Sequence, residues 1–186
     1  MITSLITKIA RQLDTSGIAY MIIGGQAVLL YGRARLTRDI DITLGIGTDQ
    51  FARVEQVCKK LGIELLPEDP RDFVTRTNVL PAEEPQSKIR VDFIFSFTSY
   101  EAQAIERANE VVLEDYTVRF ASCEDVIIHK MVAARPVDQE DVRHMLAKNR
   151  DTLDPAYLKD WLVQFSQLEG HEQILRDFET LWNEAG

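Results

Sequence analysis

The chain of 186 residues carries 30 acidic side chains against 21 lysines and arginines, a net charge of −9, and is 45% hydrophobic and 27% charged. That length supports one domain, or a small domain with a helical appendage, and the composition is ordinary for a soluble globular protein. The acidic balance argues against broad, sequence-independent DNA binding, which needs a basic face, and no apolar run approaches the ~20 residues of a membrane span.

Residues 3–15 repeat apolar side chains at Leu5, Ile6, Ile9 and Leu13, the period of an amphipathic helix. The segment has neither a long apolar centre nor a small-residue cleavage site, so it reads as a helix and not as a signal peptide. Gly17 closes it, and residues 20–23 form a short apolar strand that breaks at Gly24-Gly25. A helix then runs to about Tyr31. Residues 39–44 (DIDITL) alternate acidic and apolar side chains, the period of a strand. A helix over 50–61 ends at Gly62, and residues 63–66, 73–79 and 89–95 read as strands, with LPAEEPQS as a loop or hairpin connection. A helix follows from Tyr100 to Ala108, and residues 111–120 form a hairpin turning at Glu114-Asp115.

From Ser122 onward the strand signals stop. Ser122 and Asp125 resemble a capping box that opens a helix to about Ala134. Pro136 breaks it, a second helix covers 138–148, Pro155 opens a third, and Gly170 precedes a last one. After residue 150 eight acidic residues face only Lys159 and Arg176. The expected fold class is α+β: a mixed β-sheet flanked by helices over residues 1–121, followed by a C-terminal helical region over 122–186 packed against it.

Asp39 and Asp41 stand two apart on a strand, so both carboxylates leave one face while Ile40 and Ile42 anchor the other. Like charges so close are costly to desolvate, and a bound cation removes that cost. Mg²⁺ takes oxygen ligands, usually a few carboxylates plus substrate phosphates. Asp92, inside the apolar strand KIRVDFIF, is the third carboxylate of the set. Gly24-Gly25, between a strand and a helix, lets backbone approach a ligand, and the helix N-terminus can hold phosphate. Arg33, Arg35 and Arg38 supply a local basic segment, with Arg38, beside Asp39, best placed to meet a triphosphate. Each residue also has a plainer reading. The aspartates can be strand-end charges, the arginines a solvated loop, and Asp138 and Asp141 charges at a helix N-terminus. Trp161, Phe165, Phe178 and Trp182 read as packing. Cys58 and Cys123, far apart among apolar neighbours, read as buried free thiols in a reducing cytoplasm, and the three histidines have no zinc spacing.

The strand–GG–helix–R-x-T-x-D-I-D pattern resembles the catalytic motif of polymerase-beta-type nucleotidyltransferases. The segment SCEDVIIHKMVAARPVDQEDV resembles the second signature of their AbiE-type branch, the type IV toxin-like nucleotidyltransferases. There a helical Lys, an Arg and D-x-x-D fall on Lys130, Arg135, Asp138 and Asp141. Together the two signatures span residues 20–145. The resemblance implies transfer of a nucleoside monophosphate from an NTP, such as ATP, to an acceptor, with release of pyrophosphate. It implies two Mg²⁺ ions held by Asp39, Asp41 and Asp92, and phosphates held by Gly24, Gly25, Arg38 and Lys130. Arg135, Asp138 and Asp141 stand behind Lys130. It also implies a toxin–antitoxin setting with a cognate antitoxin. Compatible acceptors are tRNA, a protein side chain and a small aminated molecule. The sequence departs from the family pattern at Gly25, where a serine hydroxyl is usual, and at Val137, where a basic residue is usual. Lys130 lies on the apolar face of its helix, so its ammonium must either extend to water or meet an anion, expected to be the three aspartates or the NTP phosphates. Two readings from other classes remain: a nucleotide-binding or interaction module without catalysis, and a metal-dependent nuclease.

Overall fold

The alternation in DIDITL becomes β2 (Ile40–Leu44), with Ile40, Ile42 and Leu44 fully buried and Asp41 half-buried. The computed structural model describes residues 1–33 and 36–185, so Arg35 lies outside the described residues. The chain divides into two compact units. One joins Met1–Gln26 to Thr37–Ala121, and the other joins Ala27–Leu36 to Ser122–Gly186.

The first unit is built on a seven-stranded mixed sheet. In chain order its strands are β1 (Tyr20–Ile23), β2, β3 (Glu64–Leu65), β4 (Val79–Glu84), β5 (Ile89–Phe95), β6 (Asn109–Leu113) and β7 (Tyr116–Phe120). Across the sheet the order is β3-β4-β5-β2-β1-β7-β6. β2 runs antiparallel to β1 and parallel to β5, and β1 runs parallel to β7. The helices of this unit are α1 (Ile2–Thr15), α3 (Phe51–Leu61), α4 (Pro70–Thr77) and α5 (Ser99–Glu106). α1 lays Leu5, Ile6, Ile9 and Leu13 into the core and packs on β7 and α3. Cys58 on α3 is buried, and its burial pushes the thiol up to about 12.

One expectation fails here and another holds in part. Residues 73–79 are not a strand: most of them belong to α4. The β-branched run Val74-Thr75 with Thr77 favours strand locally, but the ends decide. Asp69 accepts a hydrogen bond from the Asp72 amide at 3.1 Å, Pro70 sits at the first helical position, and Asn78 closes the helix in the left-handed conformation at φ 58°. The segment expected as a loop or hairpin connection splits: its first part is β4, whose Pro81 is tolerated opposite Asp92, and residues 85–88 are the hairpin turn into β5. The hairpin at 111–120 is present, turning at Glu114 with φ 56°.

α2 (Gly24–Tyr31) follows β1 directly. The second unit holds α6 (Cys123–Ala133), α7 (Pro136–Asn149), α8 (Pro155–Phe165) and α9 (Ile174–Glu184). α6 packs on α7 and α8, and α9 packs on α7 and α8. Val126, Ile127, Met145, Leu158, Leu162 and Phe178 fill the space between them. Ser122 caps α6 as expected, accepting from the Asp125 amide at 3.1 Å. Ala134, expected as the end of that helix, is exposed and caps it at φ 52°. Pro136 does more than break a helix, because it occupies the first position of α7. Cys123 is a second buried free thiol, raised to about 12 by burial. Among the described residues no helix is long and apolar enough to cross a membrane.

Candidate active site

The parallel pairing of β2 with β5 sets Asp41 directly opposite Asp92. Register partners on adjacent strands point to the same face. The same cross-strand row continues from Ile23 through Asp41 and Asp92 to Pro81. Asp39 lies two residues before Asp41, at the entry to β2, and is exposed. Its carbonyl accepts a hydrogen bond at 3.2 Å from Gln26, a nearly buried side chain of α2, which fixes the backbone where the strand begins.

Gly24 ends β1 and stands against this row. Its φ is +62°, and a Cβ there would overlap the Asp41 carboxylate. Both constraints demand glycine. Gly25 has a different neighbour: a Cβ there would overlap the hydroxyl of Thr37. The space a serine side chain would take at the second motif position is therefore already filled by a hydroxyl group, brought from twelve residues further along. Nothing in the sequence reading singled out Thr37, although it lies within R-x-T-x-D.

Arg90 was also missed. Its Nε donates to both oxygens of Asp92, at 3.0 and 3.1 Å, while the Asp92 side chain keeps 19% of its exposure. The hydrogen bond and charge of Asp92 hold the Arg90 guanidinium above its ordinary value, and the charges of Asp39 and Asp41 add to the effect. All three carboxylates thus act on one guanidinium. The available signal was the spacing, since Arg90 and Asp92 are two apart on one strand and share a face.

The residues of the second signature assemble within the helical unit. Lys130 is 5% exposed and meets an anion, but not one of the three expected aspartates. Its Nζ donates to Asp138 at 2.6 Å and lies 3.0 Å from Asp141. Arg135 closes over the same carboxylate, Nε to Asp138 at 2.6 Å, with most of its own side chain exposed. Burial works to raise the Asp138 pKa, but the bonds from Arg135 and Lys130 outweigh it and hold the carboxyl below its usual range. The four residues named by the second signature therefore form one charge cluster. Arg38 and Arg33 are exposed.

The chemistry of Asp39, Asp41 and Asp92 suits a hard divalent cation. They are oxygen donors, two of them in register, and the missing Cβ of Gly24 leaves room for the Asp41 carboxylate itself. As they stand, no three His, Cys, Asp or Glu side chains among the described residues are gathered closely enough to hold a metal ion. At Asp92 both oxygens are taken by Arg90.

Comparison with known proteins identifies the fold and the family. The chain is similar in fold to the crystal structure of an antigenic nucleotidyltransferase-like protein from Paracoccidioides brasiliensis, with TM-score 0.58 and 15% identity, covering 97% of this chain and 91% of that one. It is similar to the solution structure of the antibiotic-resistance factor ANT(2″)-Ia, with TM-score 0.54 and 20% identity, covering 98% and 93%. No curated protein is matched. The family of nucleotidyl transferase AbiEii toxins, from type IV toxin–antitoxin systems, matches residues 12–179, which include every residue of both signatures. The chain therefore belongs to the AbiEii nucleotidyltransferase toxin family.

Proposed function

We propose that this nucleotidyltransferase moves a nucleoside monophosphate from a Mg²⁺-bound NTP to an acceptor nucleophile, with Asp39, Asp41 and Asp92 as the metal ligands. The observation that carries the reading is the register of Asp41 with Asp92, set against a glycine that must be glycine. In this reading the acceptor oxygen attacks the α-phosphorus, a new P–O bond forms, and the bond to the bridging oxygen of the leaving pyrophosphate breaks. Bound Mg²⁺ supplies charge neutralisation on the attacking and leaving oxygens. The chain's own groups do the rest. The α2 N-terminus after Gly24 presents amides to the phosphates, with the Thr37 hydroxyl beside Gly25 and Arg38 as further donors. Asp92 takes the acceptor proton once Arg90 has released it. For Lys130 to bind phosphate it must share or leave two carboxylates, so any contribution to NTP affinity comes at the expense of that cluster. Membership of a toxin–antitoxin family supports a toxin role with an antitoxin as partner, and we take the protein as cytoplasmic.

The test is Asp39→Asn with Asp41→Asn. Isothermal calorimetry should show loss of Mg²⁺-dependent NTP binding, while the melting temperature holds or rises because a like-charge pair has been removed. Unchanged NTP affinity in the double variant would remove these residues from the site.

A further inference from the structure

Beside the carboxylate row, on the β4 and α4 side, lies an open groove of about 560 Å³ lined by Leu66, Phe73, Pro81, Glu68, Asp72 and Arg90, among others. We infer that this groove is the acceptor subsite, and that it takes a compact acceptor carrying an amino group near its nucleophilic hydroxyl. The inference rests on the nucleotidyltransferase reading above and names the substrate class of that same site.

Position is the first argument. Pro81 is the register partner of Asp92, and the Leu66 amide donates to the Pro81 carbonyl at 3.0 Å, so the groove floor continues the row that holds Asp41 and Asp92. Across the sheet the sequence of features is the Gly24 end of β1, then Asp41 on β2, then Asp92 on β5, then the groove at β4 and β3. The proposed phosphate seat and the groove thus lie on opposite sides of the carboxylates. Phosphoryl transfer with attacking and leaving oxygens in line needs the acceptor on the side away from pyrophosphate. Arg90 joins the two regions, since it lines the groove and binds Asp92.

Size and charge are the second argument. The volume falls within the range of small-molecule sites. Leu66, Phe73 and Pro81 give an apolar floor for a ring. Among the described residues the lining holds three carboxylates, Glu68, Asp69 and Asp72, and two guanidiniums; Arg76 pairs with Asp72 at 2.8 Å and Arg90 with Asp92, so Glu68 and Asp69 carry the excess negative charge of the groove. A polynucleotide acceptor brings phosphates that this surface repels, whereas an ammonium group is attracted to it.

The experiment uses the full chain with Mg²⁺ and each α-labelled NTP. The offered acceptors are 2-deoxystreptamine and glucosamine, their neutral counterparts inositol and glucose, and unfractionated tRNA. Label should pass to an amine-bearing probe and not to the neutral probes or tRNA. Glu68→Lys should lower kcat/KM for that probe, and its calorimetric affinity, at least tenfold, with the Kd for Mg²⁺-NTP unchanged. Phe73→Ala should weaken the same affinity without reversing charge, and the melting curve of each variant checks that α4 is intact. Labelled tRNA or inositol, an unlabelled amine set in a chain that still binds NTP, or full amine affinity in folded Glu68→Lys each overturns the inference while leaving the nucleotidyltransferase reading standing. A wild-type chain that binds no Mg²⁺-NTP overturns that reading, and this inference falls with it.

Discussion

Arg90 shows how one side chain alters the meaning of its neighbours. Three carboxylates on one face repel one another, and a guanidinium bonded to both oxygens of Asp92 relieves that repulsion without a metal. A divalent cation at Asp92 must compete with it. Arg90→Gln keeps a polar side chain and removes the charge, so affinity for Mn²⁺ or Mg²⁺ without nucleotide should rise by up to about fivefold, the worth of a half-exposed ion pair. Calorimetric titration reads this directly, and an affinity that falls would mean Arg90 supports the metal site instead of screening it. Gly24 belongs to the same scale. The sequence marked it as a phosphate-loop glycine, while the structure adds that the Asp41 carboxylate occupies the space a Cβ would need.

At the level of elements, α6 and α7 are joined by a buried ion cluster and not by apolar contact alone. Lys130 on an apolar helical face reads in sequence as a residue whose replacement by Met costs little. The structure overturns that expectation. Asp138 is fully buried and Asp141 nearly so, and Lys130 neutralises both. Lys130→Met leaves two buried carboxylates with Arg135 as the cation bonded to Asp138, and a broken buried pair costs about 3–5 kcal/mol. Urea denaturation should therefore show a loss of that order. Adding Asp138→Asn and Asp141→Asn to Lys130→Met should recover a large part of it. A single variant as stable as wild type would show that the cluster contributes nothing net. α4 teaches the complementary lesson. Its interior reads as strand, but in the structure Asp69-Pro70 and Asn78 cap it as a helix; the caps prevail because each satisfies or bypasses backbone groups that the helix leaves open.

On the scale of the whole molecule, charge decides which macromolecules the protein can hold. With a net charge of −9 it lacks the excess cations from which counterion release draws non-specific affinity. Electrophoretic mobility shift with random duplex DNA near physiological salt should detect no complex at micromolar protein. A shifted band that weakens with salt would reveal a basic face strong enough to overcome the net charge.

The sequence by itself determined the family, the α+β class, the positions of Asp39, Asp41 and Asp92, and the second signature at Lys130, Arg135, Asp138 and Asp141. These are local patterns: a period of two, a glycine pair after a strand, a spacing along a helix. It could not determine which residues those groups meet, because partnership depends on strand order and register. Asp41 and Asp92 are about fifty residues apart in the chain and become neighbours only when β5 pairs with β2. Thr37 fills the place beside Gly25 only because the chain returns there after α2. Lys130 finds Asp138 and Asp141 instead of Asp39, Asp41 or Asp92 because Ala134 turns the chain and Pro136 starts α7 against α6. The groove exists only because residues 70–77 fold as a helix above β4 and not as another strand.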